Sequence, residues 1–375
     1  MEVRPLADDR DLDTFVRLPW RLHADDPAWV PPLLRERRAA LDPGHPLFRD
    51  VRWQGFLAFD GAVCTGRISA QIDRRYAALG APGLGQFGFL EAVDDAGVHA
   101  ALLGAAEAWL AARGCRRVEG PFDPGVNQEL GQLVEGFGTP PFFMMTHGLR
   151  WTPAHIEAAG YRGAMDLLAY EVHSQFAHPA AMARLVARAG ARLRFRPLDR
   201  RRADEEFRLL CEIFNDAWAN NWRFVPFAED ELIRIGRDML RIIDADQIQI
   251  AEVDGEPAAF GVLLPNVNEA LADLDGRLLP FGWAKLLWRL KVRHPATGRV
   301  PLMGVRRAHQ ANRLGAALAF GIVAALQAPA ARRGIGQVEL SWILEDNRPM
   351  RHLLEAIGAV VTRRYRIYGR DLPPG

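Results

Sequence analysis

Cysteine is scarce: the 375 residues include three, Cys64, Cys115 and Cys211. They are scattered, odd in number and without C-x-x-C or histidine spacing, which excludes a disulfide framework and leads us to expect no metal site. A reducing compartment fits that usage. An excess of either charge is also missing. Lys and Arg together (47) almost cancel Asp and Glu (46), so no global field draws in nucleic acid and none is expected as a partner. The opening MEVRPLADDRDLD is acidic where an export signal has a basic head and an apolar stretch, so no export is expected. The most apolar run, residues 316–331, is interrupted by Gln327 and falls short of the roughly 20 residues of a spanning helix. It reads as a buried helix. What remains is a cytoplasmic chain of ordinary globular composition, 49% hydrophobic and 25% charged.

The length suggests two domains, at about 100–200 residues each, and an internal repeat supports that number. EVRPL at the start, followed by an Asp-rich helix, is echoed by RFRPLDRRRADEEF at 194–207. GFLAFDGAVCTGRISAQID (55–73) and IQIAEVDGEPAAFGVLLP (248–265) each read as strand, Asp-Gly turn, strand. GQFGFLE, HAALLGAAEAWLAARG and CRRVEGPF match VPLMGV, ANRLGAALAFGIVAALQ and GQVELSWI as strand, helix, strand. IEAAGYRG and LLEAIGAVV are matching helix ends, stopped by Gly160 and Gly358 and followed by a last strand. The repeats are assigned to 1–175 and 190–375, joined by a short helix rich in Ala and Arg. The expected fold is α/β, with two tandem domains, each a mixed, mostly antiparallel sheet flanked by helices.

This order of elements resembles the GNAT acyltransferase superfamily, whose acyl-CoA loop follows a strand as Q/R-x-x-G-x-G/A. VRRAHQANRLGAAL aligns Gln310, Arg313 and Gly315 with that loop, with Arg where the middle glycine is usual. The resemblance implies acyl-CoA as co-substrate, held by Met303, Gly304, Val305, Gln310, Asn312, Arg313, Gly315 and Ala316, and by Asn347 of the later motif SWILEDNRPMRHLLEAIGA. In such a site, main-chain N–H groups of the loop and helix start surround the pyrophosphate. The family's tyrosine general acid is replaced by Leu354. In the first repeat the loop position holds FLEAVDDAGVH, acidic where a diphosphate needs cradling, so CoA is expected only in the second. A closer likeness is to long bacterial double-domain members carrying N-D-A-W-x-x-N-W-x-F-V-P, here 215–226. That likeness implies N-acylation of a small-molecule or lipid amine, a long-chain, sphingoid-like base among them. A Fem-type aminoacyl-tRNA-dependent transferase and a non-catalytic GNAT-fold binding protein are the alternatives.

Amide formation requires a neutral amine, whereas a free alkylamine has a pKa of about 10, so a base or a desolvating pocket is needed. Glu345 and Glu269 are the expected bases, although Glu345 and Asp346 read equally well as caps of the helix that Asn347 opens. Tyr365 and Tyr368 on the last strand read either as a substitute acid, with Tyr365 the candidate, or as plain strand aromatics. In NDAWANNWRFVPF, Asn215, Trp218, Asn221 and Trp222 combine aromatic walls with amides and read either as an acceptor-binding wall or as a plain core face. No Ser or Cys sits in a nucleophile elbow, so direct attack is expected. Residues 281–294, FGWAKLLWRLKVRH, place Trp283, Leu286, Leu287 and Leu290 on one helical face flanked by Lys and Arg. That pattern suits peripheral contact with the inner face of a membrane.

Overall fold

The computed structural model describes residues 1–310 and 312–373. The first half of the chain forms β1 (Glu2–Pro5), α1 (Asp9–Leu22), α2 (Leu34–Ala40), β2 (Val51–Asp60), β3 (Val63–Asp73) and α3 (Arg75–Ala78). It continues through β4 (Leu84–Ala92), α4 (Ala96–Ala111), β5 (Arg117–Gly120), β6 (Phe122–Asp123), β7 (Glu129–Leu130), β8 (Gln132–Glu135), α5 (Thr152–Ala158) and β9 (Arg162–His173). After α6 (Ala180–Ala189) the same grammar returns. It runs through β10 (Leu193–Pro197), α7 (Ala203–Trp218), α8 (Glu229–Ile242), β11 (Ile248–Val253), β12 (Glu256–Pro265), α9 (Val267–Leu271) and α10 (Gly282–Trp288). It ends with β13 (Thr297–Val305), α11 (Arg307–Gln310), α12 (Arg313–Ala325), α13 (Gln327–Arg332), β14 (Gln337–Leu344), α14 (Arg348–Ala356) and β15 (Val360–Asp371).

Local chemistry sets many of these boundaries. Asp8 and Asp95 cap α1 and α4 by accepting main-chain N–H bonds, Asp8 from Arg10 and Asp11 and Asp95 from Val98. The β11–β12 hairpin turns on Asp254 and Gly255, both at positive φ (53° and 91°), as a two-residue type I′ loop requires. α4 buries Val98, Leu102, Leu103, Ala106 and Leu110 against Phe56, Ile68, Ala70 and Phe87 of the first sheet. In the second half, Leu318 and Ile322 of α12 pack on Ala251, Val253, Ala258 and Ala259. The stretch Arg313–Arg332 is long and apolar enough to cross a membrane, but most of it is buried in the protein, as in a core helix.

The compact units do not follow the repeat linearly. One unit comprises Met1–Leu168, Leu271–Gly282 and the chain from Arg363 onward; the other comprises Ala169–Ala270 and Trp283–Thr362. Residues 374 and 375, which close the second repeat, lie outside the described residues. In the first unit the strands run β1-β2-β3-β4-β5-β15, with β4 and β5 parallel and Tyr368 to Asp371 of β15 antiparallel to Gly120 to Arg117. In the second they run β9-β14-β13-β12-β11-β10, with β13 and β14 parallel. The last strand of each repeat therefore enters the unit built mainly by the other repeat. α6, read from the sequence as a joining helix, belongs wholly to the second unit.

Two glycines inside helices behave oppositely. A Cβ on Gly104 of α4 would meet nothing within 4 Å, whereas one on Gly236 of α8 would lie 2.4 Å from the ring of Phe207, which is 1% exposed and has no room to retreat. Gly104→Ala is expected to raise the melting temperature through a helix-propensity gain of about 1 kcal/mol. Gly236→Ala is expected to lower it, because overpacking costs about 1–3 kcal/mol and outweighs the same gain. Thermal denaturation of the two variants side by side checks the pair.

Candidate functional site

β13 and β14 run side by side from Thr297↔Gln337 to Val300↔Leu340 and then part. The next residue of β13 is Pro301, which has no N–H to donate to a ladder, and the pairing of β13 with β12 is irregular opposite it, between Val262 and Leu264. Beyond that point a cleft of about 640 Å3 opens between the diverging ends, wholly within the second unit. One flank is Val300, Pro301, Met303, Gly304 and Val305; the other is residues 340–344.

The closed end of the cleft is held by a buried ionic network. Arg299 and Glu339, 2% and 0% exposed, are register partners across the two strands. Arg299 Nε donates to Ser341 Oγ at 3.0 Å, the Ser341 hydroxyl donates to Glu339 Oε1 at 2.6 Å, and the guanidinium lies 4.8 Å from the centre of the Trp342 ring. Breaking such a buried pair by removing one partner costs about 3–5 kcal/mol, so the network fixes where the strands begin to separate.

The walls come from helix ends. Trp218 of α7 stacks on Phe214 and donates its indole N–H to Met303 O at 3.0 Å. Gln310 Nε2 donates to Val305 O (2.8 Å) and Ala217 O (2.9 Å), tying the end of β13 to the end of α7. Asn312 caps α12, its Oδ1 accepting from Leu314 N and Gly315 N at 2.9 and 3.0 Å. Gly315 is required for packing: an added Cβ would sit 2.0 Å from His309 O. Asn347 caps α14 through Met350 N at 3.3 Å.

The structure gathers most of the residues expected at an acyl-CoA and acceptor site. Met303, Gly304, Val305, Gln310, Asn312, Gly315, Ala316 and Asn347 line the cleft, as do Trp218, Asn221 and Trp222. Arg313 does not line it; its side chain is exposed at the first turn of α12 and makes no hydrogen bond or ion pair among the described residues. Asn215 is not at the cleft either, because its amide donates to Phe227 O and accepts from Phe227 N, both at 3.0 Å, latching the loop after α7.

None of the three expected catalytic side chains lines the cleft. The Glu269 carboxylate accepts from Ala296 N, Thr297 N and the Thr297 hydroxyl, which places it at the start of β13, the closed end of the strand pair. Glu345 falls between two lining residues but does not line the cleft itself, and its carbonyl accepts from Arg351 Nη1 at 2.8 Å. Tyr365 is fully buried in the first unit, where it is a register partner of Leu133. The titratable side chains that do line the cleft are Asp346 and His352, both exposed and without a side-chain hydrogen bond among the described residues. His352 was not singled out from the sequence; its one signal is its place on α14, three residues after the lining Pro349. Met182 of α6 and Met350 complete an apolar lining that sequence reading also missed. Leu354, at the family's acid position, is 0% exposed and offers no proton.

The first unit treats the corresponding strand ends differently. β4 and β5 pair from Leu84↔Arg117 to Gln86↔Glu119, and the chain then folds back over the gap. A Cβ on Gly88 would lie 1.9 Å from Phe122 O, and Asp123 Oδ1 accepts from Phe89 N at 2.5 Å. A carboxyl oxygen thus occupies a strand N–H that would otherwise face the gap. Burial pushes the Asp123 carboxyl up to about 7, against the Phe89 N–H, which lowers it, and with the nearby Glu129 charge, which raises it further.

A doubled strand-helix-strand order, with an apolar cleft between parallel strands that part beside a capped helix start, defines the tandem GNAT fold. Solved structures share that fold. The tandem GNAT protein from the clavulanic acid biosynthesis pathway superposes with a TM-score of 0.57 at 14% identity, covering 100% of this chain and 99% of that one. A GCN5-related N-acetyltransferase from Sphaerobacter thermophilus gives 0.54 at 13%, covering 100% and 96%. No protein-family model matches the chain. Protein YghO of Escherichia coli K12 is 45% identical over 371 residues, covering 99% of this chain and 95% of the relative. The bacterial ceramide synthase of Caulobacter vibrioides is 42% identical over 375 residues, covering 99% and 98%. The chain belongs to the family that contains these two proteins.

The Asp123 contact has a pH signature. A carboxyl whose folded pKa is raised stabilises the fold at low pH, and that contribution is lost as pH rises from its unfolded value near 4 through about 7. Asp123→Asn keeps an oxygen for Phe89 N but cannot ionise. Between pH 5 and 8 the melting temperature of the wild type is expected to fall relative to that of Asp123→Asn, measured by differential scanning calorimetry in matched buffers.

Proposed function

We propose that this protein is an acyl-CoA-dependent N-acyltransferase that moves an acyl group from CoA to a long-chain amine, a sphingoid-like amino base. The observation that carries this reading is the cleft between β13 and β14: open, apolar over most of its lining, and ending beside the start of α12. The 42% identity to a bacterial ceramide synthase over nearly the whole of both chains supports an amine acceptor with a long chain.

In this reading the acyl chain and thioester lie between the diverging strands. The amine nitrogen attacks the thioester carbon, a C–N bond forms and the C–S bond breaks. Negative charge on the carbonyl oxygen is met by main-chain N–H groups of residues 303–305. The proton lost by the amine goes to His352 or Asp346, and the departing CoA thiolate takes one up. Because Asn312 already occupies the N–H groups of Leu314 and Gly315, the diphosphate depends less on main-chain amides and more on the exposed Arg313 guanidinium.

The lipid character of the substrates agrees with α10 and the turn after it. Trp283, Leu287, Trp288 and Val292 are 54%, 53%, 52% and 64% exposed, with Lys285, Arg289, Lys291 and Arg293 interleaved. We assign this segment to peripheral contact with an anionic bilayer, from which an amphiphilic amine reaches the enzyme.

Incubation with acyl-CoAs of several lengths and a mixture of short and long amines, read by mass spectrometry, is expected to yield an N-acyl product. No product with any pair would refute the transferase reading. Arg313→Ala is expected to raise KM for acyl-CoA about 3- to 10-fold with kcat nearly unchanged, the effect shrinking at high salt. His352→Ala is expected to lower kcat about 10- to 100-fold. In flotation assays with vesicles containing anionic lipid, the triple change Trp283→Ser, Leu287→Ser and Trp288→Ser is expected to release the protein.

A further inference from the structure

The first unit contains a second polar cluster, unrelated to the cleft. His23 follows α1 as its C-terminal cap, its N–H bonded to Pro19 O at 2.9 Å, and Asp26 lies one turn later, its N–H bonded to His23 O at 3.0 Å. From the loop before α5, His147 brings Nε2 to within 2.8 Å of Asp26 Oδ2. One ring nitrogen of each histidine and one oxygen of Asp26 lie within 4.8 Å of one another.

The His23 ring is 1% exposed and stacked on Trp29, with centroids 5.2 Å apart and an interplanar angle of 9°, so its orientation is set by packing. Its Nε2 faces Glu91 Oε1 at 3.0 Å. Glu91 also accepts two N–H bonds from Arg67, at 3.0 and 2.6 Å, and so acts as a carboxylate acceptor. His23 Nε2 is then the N–H donor, and the lone pair resides on Nδ1. That atom is buried and has no hydrogen-bond partner. A buried ring nitrogen with an unused lone pair is costly unless a hydrogen-bond donor or a cation engages it. A carboxylate on one side of an imidazole, with a bare lone pair on the other, is the arrangement that orients histidine toward a metal ion.

We propose that His23, Asp26 and His147 form a binding site for one divalent first-row transition cation, with Zn2+ the expected occupant. Two imidazoles and a carboxylate are borderline N/O donors suited to Zn2+, and three protein ligands leave a fourth position for water. Bonds of about 2.0–2.1 Å place tetrahedral ligand atoms roughly 3.3 Å apart, so the observed spacing needs only a small closure around the ion. Asp26 Oδ1, which accepts from Ala28 N at 2.9 Å, and Thr146, whose hydroxyl donates to Gly131 O at 2.9 Å, already anchor both ligand-bearing segments. The cation would pin the loop carrying His147 to the end of α1. The sequence offered only His-x-x-Asp, with the third ligand 121 residues beyond Asp26.

The test uses the full chain, dialysed against a chelator and then titrated with Zn2+ alone. Metal analysis and calorimetric titration are expected to give one Zn2+ per chain with a higher melting temperature, and Co2+ in its place is expected to show ligand-field bands of a low-coordinate site. Asp26→Asn, which retains both hydrogen-bonding positions, and His147→Gln are each expected to weaken Zn2+ binding at least about 10-fold while far-UV circular dichroism stays unchanged. Absence of saturable Zn2+ binding by the wild type, or equal binding by the wild type and both variants, overturns the proposal. Neither readout depends on acyl transfer.

Discussion

The separation of β13 from β14 after Val300 and Leu340 is the constraint on which the site depends. Below that point, the ladder and the Arg299, Ser341 and Glu339 network hold the strands together; above it, Pro301 ends the pairing. Strand edges that face each other without bonding leave main-chain donors and acceptors that must find partners. The second unit leaves that space as an apolar cleft, whereas the first closes the corresponding gap with Phe122 and Asp123. One architecture thus yields an open cleft or a filled gap according to what the chain does after the parallel pair.

The side chains around the cleft mostly position rather than react. Trp218, Gln310, Asn312 and Asn347 have their polar atoms engaged in holding strand and helix ends. What lines the cleft is mostly apolar, with amides such as Asn220 and Asn221 among it and Asp346 and His352 as its titratable groups. Such a lining suits the burial and orientation of apolar groups more than chemistry by its own side chains. The absence of a tyrosine at position 354, where Leu354 is buried, is consistent with that balance.

The exchange of final strands changes how the repeat is understood. A linear duplication suggests two independent sheets, yet β5 receives residues 368–371 at its edge, and the second unit begins at Ala169, within β9. An exposed sheet edge is a liability, and β15 covers the edge of β5 while β9 covers that of β14, each from the other repeat. Duplication with exchange makes neither unit complete from its own repeat.

Much of the architecture was legible in the residues themselves, because caps, turns and helix faces are set by neighbours three or four positions away. Asp8, Asp95 and Asn312 mark helix starts, Asp254 and Gly255 mark a hairpin, and Gln310 and Gly315 mark the loop beside the cleft. Local pattern does not say which distant groups converge. Glu269 reads as a candidate base until the fold brings it to Ala296 and Thr297, and Tyr365 as a candidate acid until the strand exchange buries it. His352, and the meeting of His23 and Asp26 with His147, have no periodic signature. The sequence by itself determined the doubled fold and the loop that borders the cleft. Only tertiary structure decided which side chains face the cleft and where each strand belongs, since those outcomes arise from contacts that span tens of residues around the cleft and more than two hundred in the strand exchange.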